Sequence, residues 1–316
     1  MPPPLYVQNV IAFVWDYDRT LIPGNQQDPI FGEYDVDPRE FWAEVDGLVD
    51  YYAARGVRAS RDLVYLSHMI TYVENGLFPG LTRSKLAELG GRVETAPGIP
   101  EFFALTRQHV VDNPVYLKEG ISVEHYVVST GIVPMILGNK IADQIDGVWA
   151  NDFIEQPAQP GYLGQLDVAA PDVPISGLGY TMDNTAKTKA IFEISKGVNK
   201  NPSINVNSRM PEEQRRVPMR HMVYIADGPS DVPVFSILNA NGGKTLGVYT
   251  TEPADNFRQV KSLQEQGRIQ GMAKADFRPG EAAYLWLMDS LDQIADEIVA
   301  ARRAALSQIP QPPGHV

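Results

Sequence analysis

Apolar positions along the chain switch between two periods. "VIAFVW", Val10 to Trp15, is an unbroken apolar run and predicts a strand buried on both faces. "VEHYVVSTG" predicts a second strand over Tyr126 to Val128, "MRHMVYIADG" another over Met222 to Ala226, and "GKTLGVYT" a further short one. Between them the apolar residues recur at helical spacing. Phe41, Val45, Leu48 and Tyr52 mark one helix, opened by Asp37 as N-cap, Pro38 at the first helical position and Glu40 at the capping-box position, and closed by Gly56. "SRDLVYLSHMITYVENG" and "TRSKLAELGG" predict two more. "IPEFFALTRQHV", "IVPMILGNKIADQI" and "NTAKTKAIFEISKGVN" follow, and a last helix from Glu281 to Ala305 places Leu287, Leu291, Ile294 and Ile298 on one face.

This alternation predicts an α/β fold, a Rossmann-like parallel sheet flanked by helices. Residues 24–95 read as a mostly helical unit inserted after the first strand, 1–23 and 96–305 as the α/β core, and 306–316 as a disordered tail. Residues 148–182 mix Gly, Pro and short apolar pieces, which predicts a β-hairpin or a loop excursion. The polar stretch 197–219 predicts a mobile surface loop.

Composition narrows the picture. The 316 residues suffice for one large domain or two modest ones, and the formal net charge is −12. That balance argues against nucleic acid or an anionic membrane as partner, since both attract basic patches. There is no cysteine, so neither a disulfide nor thiolate chemistry is available. The start lacks the basic region and small-residue cleavage site of a secretory signal, and no apolar run approaches the roughly 18 residues of a membrane span. The expectation is a soluble cytoplasmic protein.

The chemistry gathers where strands end. After Trp15 come Asp16 and Asp18, with Thr20 beyond; after Ala226 come Asp227 and Asp231 in "DGPSD". A lone Asp-x-Asp is more often a turn or a cap. An EF-hand loop fails, because the sixth position from Asp16 is Leu21 and the twelfth is Gln27. Two carboxylates about 4 Å apart repel by roughly 4 kcal/mol at an effective dielectric of 20, so such a pair needs a cation, a shared proton or solvent. With up to four acids at one sheet edge the economical cation is Mg²⁺, which takes oxygen ligands and often a substrate phosphate. Ser129 Oγ with the backbone N–H groups of Thr130 and Gly131 forms an anion cradle where the second strand meets a helix start. Lys187 and Lys189 stand at another helix start, where a cation is unfavourable unless it serves an anion. Gln26, Gln27, Asp28 and Glu33 are candidates to face a pocket. Gly243-Lys244-Thr245 lacks the first Gly of a P-loop, and "SGLGYT" lacks the third Gly of a dinucleotide fingerprint.

These elements in this order resemble the haloacid dehalogenase (HAD) superfamily of phosphohydrolases. Asp16-Tyr17-Asp18-Arg19-Thr20 resembles its first motif, Ser129 its second, Lys187 its third and Asp227-Gly228-Pro229-Ser230-Asp231 its fourth. The helical insertion resembles a C1-type cap, as in the phosphoserine phosphatase-like branch. The resemblance implies a Mg²⁺-dependent phosphatase acting on a small phosphorylated metabolite. Asp16 would be the nucleophile and Asp18 the general acid and base. Asp16, Asp18 through its carbonyl, Asp227 and Asp231 would surround the metal. Ser129, Thr130, Gly131 and Lys187 would hold the phosphate, with Lys187 favoured over Lys189 because Ile191 and Ile194 follow four and seven residues on. Ser230 stands where phosphoserine phosphatases commonly have Asn. Other acceptors for the same chemistry, a phosphoprotein substrate, and a HAD-fold binding protein without turnover are the alternatives.

Overall fold

The computed structural model describes residues 7–164, 172–251 and 254–307. The tail expected over 306–316 lies outside them from residue 308 onward. In chain order the elements are β1 (Val10–Trp15), α1 (Asp28–Tyr34), α2 (Pro38–Ala53), α3 (Val64–Glu74), α4 (Arg83–Gly90), α5 (Glu101–Asp112), α6 (Pro114–Lys118), β2 (Ser122–Ile132), α7 (Val133–Gly138), β3 (Gly147–Ile154), β4 (Gly177–Tyr180), α8 (Ala186–Lys196), β5 (Met222–Ala226), α9 (Val232–Ala240), β6 (Lys244–Tyr249), α10 (Ala254–Glu265), β7 (Gly271–Lys274) and α11 (Ala282–Ser307).

Seven strands form one sheet in the order β4-β3-β2-β1-β5-β6-β7. All pairings are parallel except β3–β4, which is antiparallel. Chain order runs outward in one direction through β2 and β3 and in the other through β5 to β7, so the reversal falls at β1. In open α/β sheets ligands bind outside the carboxyl ends of strands at such a reversal.

Every residue of β1 is buried, and alternate side chains serve two cores. Ile11, Phe13 and Trp15 pack with Phe102 and Phe103 of α5 and with Leu287, Leu291, Ile294 and Ile298 of α11. Val10, Ala12 and Val14 pack with Ile191 and Ile194 of α8 and with Val234, Phe235 and Leu238 of α9. A strand covered on both faces has no polar position to spare, hence the continuous apolar run.

The four helices α1 to α4 surround a third core, with Phe31, Phe41, Leu66, Met69, Phe78, Leu86 and Leu89 at its centre. Asp37 caps α2 by accepting from Arg39 N–H, and Thr82 caps α4 by accepting from Lys85 N–H at 3.0 Å. This core is shared with the sheet side through Ile132, Met135, Phe153 and Ile175. Helices α4 and α7 touch backbone to backbone: a Cβ on Gly138 would stand 1.8 Å from Ala87 O, and one on Gly90 2.0 Å from Met135 O.

Several elements differ from the expectation. β2 extends from Ser122 to Ile132, beyond its purely apolar centre, because pairing with β1 and β3 satisfies its flanking backbone groups. The helix expected over "IVPMILGNKIADQI" is the six-residue α7 followed by a single tight turn at Ala142–Gln144. Asn139 ends α7 by donating its amide to the carbonyls of Gly90 and Val93. Residues 148–182 contain the hairpin β3–β4, with 165–171 outside the described residues. Loop 197–218 is held by Lys196, whose Nζ donates to Val206 O and Ser208 O. No helix among the described residues is long and apolar enough to cross a membrane.

Candidate active site

The ends of β1 and β5 deliver their acids to one point. Asp16 continues the ladder, its N–H donating to Ile225 O at 2.9 Å. Past Ala226 the chain turns through Gly228 and Pro229, and a single 3₁₀ turn (Pro229–Asp231) returns Asp231 beneath Asp16. Ligand atoms of Asp16, Asp227 and Asp231 lie within 4.8 Å of one another. Asp231 is fully buried, Asp16 nearly so, and Asp227 partly open.

Lys187, one residue into α8, reaches this cluster from below and is fully buried. Its Nζ donates to Asp16 Oδ1 at 3.1 Å and to Asp231 Oδ1 at 2.6 Å. Lys189 points elsewhere: its side chain is 54% exposed and pairs with Glu193 at 3.4 Å. Asp231 is the most heavily held of the three acids. Besides Lys187, Oδ1 accepts from Tyr224 OH at 2.6 Å and Oδ2 from Ser230 Oγ at 2.8 Å. Asp227 Oδ2 accepts from Asn256 Nδ2 at 3.0 Å.

Asp18 lies a few residues on, turned toward a cleft. Its Oδ1 accepts the N–H of Gln26 at 2.8 Å, and Gln26 Nε2 approaches both carboxylate oxygens at 3.3 and 3.4 Å. Gln26 itself is fully buried, and its Oε1 accepts from Ile132 N at 2.7 Å. Between the two, Arg19 adopts a left-handed conformation, φ +54°. Thr20 is buried, its hydroxyl without a hydrogen-bond partner among the described residues.

Crowding of like charge shows in the carboxyl pKa values. Burial pushes Asp16 well above the usual carboxylate range; Lys187 opposes this, and Asp231, Asp227 and Asp18 add to it. Burial raises Asp227 to about 7, Asp231 adding to the effect. Burial raises Asp18 to about 6, against the lowering effect of the Gln26 donors. Burial works against the ammonium of Lys187, but Asp16 and Asp231 outweigh it, so its pKa lies above the ordinary value. Three clustered carboxylates and nearby Asp18, set against buried Lys187 and the Arg19 guanidinium that lowers Asp18 and Asp227, leave the site short of positive charge. The donor set is all oxygen, which suits a hard divalent cation, and the charge deficit is what such a cation would fill.

The second strand contributes differently from the cradle expected of it. Ser129 is buried at the end of β2, but its Oγ accepts from Gly131 N–H at 3.0 Å, so that N–H is already engaged. The strand runs through Thr130 and Gly131, and the helix begins only at Val133. Thr130 O accepts from Tyr65 OH at 2.8 Å and from Asn151 Nδ2. Thr130 also lines a cleft of about 380 Å³, with Asp18, Arg19, Gln27, Trp42, Arg61 and Tyr65 among its walls. Helices α2 and α3 thus supply part of the cleft. Of the other residues expected near a pocket, Gln27 lines the cleft, Asp28 Oδ2 accepts from Asn25 N–H, and Glu33 pairs away from it with Lys85 and Arg92.

Tyr224, Asn256 and the double hold of Gln26 escaped the sequence reading. A signal existed for Tyr224, since a tyrosine inside a buried strand needs a partner for its hydroxyl. Asn256 sits in a polar helix and carries no such signal.

No family model matches the chain. An uncharacterized protein of Borreliella burgdorferi (strain ATCC 35210 / DSM 4680 / CIP 102532 / B31) is 36% identical over 289 residues, covering 90% of this chain and 97% of that one. The chain belongs to the same family as this Borreliella protein. Among solved structures, a probable phosphoserine phosphatase from Vibrio cholerae overlaps 92% of this chain and 68% of its own at 14% identity, TM-score 0.49. A HAD family hydrolase from Salmonella enterica subsp. enterica serovar Typhi overlaps 82% of this chain and 67% of its own at 15% identity, TM-score 0.47. Overlaps of this quality carry no weight for the chemistry, which rests on the side chains described above.

Proposed function

We propose that the protein is a HAD-type, Mg²⁺-dependent phosphatase of a small phosphorylated metabolite, with α1 to α4 as its C1-type cap. One observation carries the reading: a fully buried lysine shared between Asp16, after β1, and Asp231, after β5, with Asp227 within 4.8 Å of both acids. A purely structural ion pair needs one acid per lysine. The surplus carboxylates cost stability unless a ligand brings positive charge.

In this reading a carboxylate oxygen of Asp16 attacks phosphorus in line, and the bond to the leaving oxygen breaks as Asp18 gives that oxygen its proton. The resulting aspartyl-phosphate is cleaved by water, whose proton returns to Asp18; inorganic phosphate leaves and Asp16 is restored. Asp18 suits the double task because its pKa of about 6 lies near neutrality. Gln26 keeps its carboxylate in place through both steps. Lys187 and Ser129 would hold phosphoryl oxygens, Lys187 turning part of its charge from the acids to the substrate. Asp16, Asp227, Asp231 and the backbone carbonyl of Asp18 would hold Mg²⁺, which supplies charge compensation between nucleophile and phosphate. A cleft of about 380 Å³ suits a small leaving group better than a phosphoprotein.

The test is phosphate release from a panel of phosphorylated metabolites, with and without Mg²⁺. Wild type should release phosphate only with the metal, and Asp16→Asn should lower the rate by several orders of magnitude. A wild-type protein that binds Mg²⁺ yet releases nothing from any compound would point to a binding role instead.

A further inference from the structure

We infer that Asn256 is a positioning residue for the candidate metal site, holding the Asp227 carboxylate in its ligating orientation without cancelling its charge. The inference rests on the reading of Asp16, Asp227 and Asp231 as cation ligands. Asn256 is the third residue of α10 and is 1% exposed. Its Oδ1 accepts from Thr250 N–H, just past β6, at 2.8 Å. Its Nδ2 donates to Asp227 Oδ2 at 3.0 Å and reaches Asp227 O at 3.3 Å. The amide has one orientation only, because a backbone N–H can only donate and a carboxylate or carbonyl can only accept. Asn256 therefore ties the turn after β5 to the end of β6 through fixed directions.

The kind of donor matters. Asp231 is held by an ammonium and two hydroxyls, so much of its charge is met inside the protein. Asp227 is held by a neutral amide. Its charge stays available to a cation, and no hydrogen bond among the described residues reaches its Oδ1. Remove the amide, and Asp227, repelled by Asp231 and partly open to solvent, is free to turn away. A cation must then order that side chain as it binds, which costs affinity. Loss of an outer-shell partner of this kind typically weakens metal binding about 10–100-fold.

The experiment is direct titration of the intact protein with Mn²⁺ and Mg²⁺, followed by electron paramagnetic resonance and calorimetry, for wild type, Asn256→Ala and Asn256→Gln. Metal-free melting temperatures are measured alongside, since Thr250 N–H also loses its acceptor in the alanine variant. The expected result is a folded Asn256→Ala protein whose Kd for Mn²⁺ rises about 10-fold or more, with Asn256→Gln between it and wild type. A folded Asn256→Ala protein that binds Mn²⁺ like wild type overturns the inference and leaves the metal site standing. Should the alanine variant not fold, unchanged binding by Asn256→Gln overturns it equally. A wild type that binds neither ion overturns both the inference and the reading beneath it.

Discussion

All hydrogen-bonding atoms of the Gln26 side chain are spoken for: the nitrogen by Asp18, the oxygen by Ile132 N–H. The space is as constrained as the polarity. A Cβ on Gly131 would stand 1.6 Å from Gln26 Nε2, so Gly131 is required for room rather than for its backbone angles. Gly131→Ala should therefore push Gln26 off Asp18, costing about 1–3 kcal/mol in chemical denaturation and lowering phosphate release further than the stability loss explains. Gln26→Ala should lower release in the same way without the clash. At this scale the sequence showed Asp16, Asp18, Asp227 and Asp231 each following an apolar strand, and the structure brings three of them, Asp16, Asp227 and Asp231, together. It was informative about Lys187 too, whose register on α8 puts Ile191 and Ile194 into the core behind it. It marked Gln26 only as a candidate to face a pocket and was silent on Asn256, because the hold of Gln26 on Ile132 and that of Asn256 on Asp227 join different elements and leave no local trace.

Among elements, the α4–α7 contact is the least forgiving. Two glycines let the backbones touch, and the neighbours of an added Cβ are carbonyl and Cα atoms that cannot step aside. Gly138→Ala should destabilise the protein by about 1–3 kcal/mol, seen as a lower denaturation midpoint, and should loosen α1 to α4 against the sheet in hydrogen exchange. Elements whose apolar pattern ran a full turn or more were legible, among them α2, α4, α8 and α11. Four were not. α1 follows a loop whose Gly, Asn and Gln read as polar turn, α6 has five residues, and β7 has four with only alternate burial. α10 hides its buried Val260 and Leu263 among polar residues. The length of β2 was missed because sheet pairing, not composition, sets its ends.

On the scale of the whole molecule, acid stability depends on a fully buried histidine. His125 is fully buried; Trp15 Nε1 donates to its Nδ1 at 3.1 Å, which leaves Nε2–H to donate to Thr106 Oγ1 at 2.8 Å, and Thr106 in turn donates to Phe103 O. Burial, with Arg107 adding, holds its pKa well below the usual imidazole range. Above about pH 6.5 the imidazole is neutral folded or unfolded and the shift has no effect. Below it the unfolded chain takes a proton the folded one refuses, and stability falls by up to about 1.4 kcal/mol per pH unit until the folded pKa is reached. Asp227, raised to about 7, works in the opposite direction as pH falls. The difference between wild type and His125→Gln, measured by denaturation from pH 7.5 downward, isolates the histidine: wild type should lose its advantage as the pH drops. Alternation of periods predicted a parallel sheet flanked by helices but not its strand order, and the hairpin offered for 148–182 anticipated the antiparallel β3–β4 pair, whereas β4 itself, four residues with two glycines, was too short to be bounded.

That β1 is central in space and early in sequence has a consequence for how the protein is made. Its partners β2 and β5 begin at Ser122 and Met222, and α11, which covers one face, begins at Ala282. During synthesis "VIAFVW" leaves the ribosome long before any of them exist. It is short, uncharged, β-branched and aromatic, the kind of segment that pairs with copies of itself. The strand that delivers Asp16 to the candidate site is thus made early and sheltered last, and until its partners exist nothing in the fold keeps it from pairing with other chains.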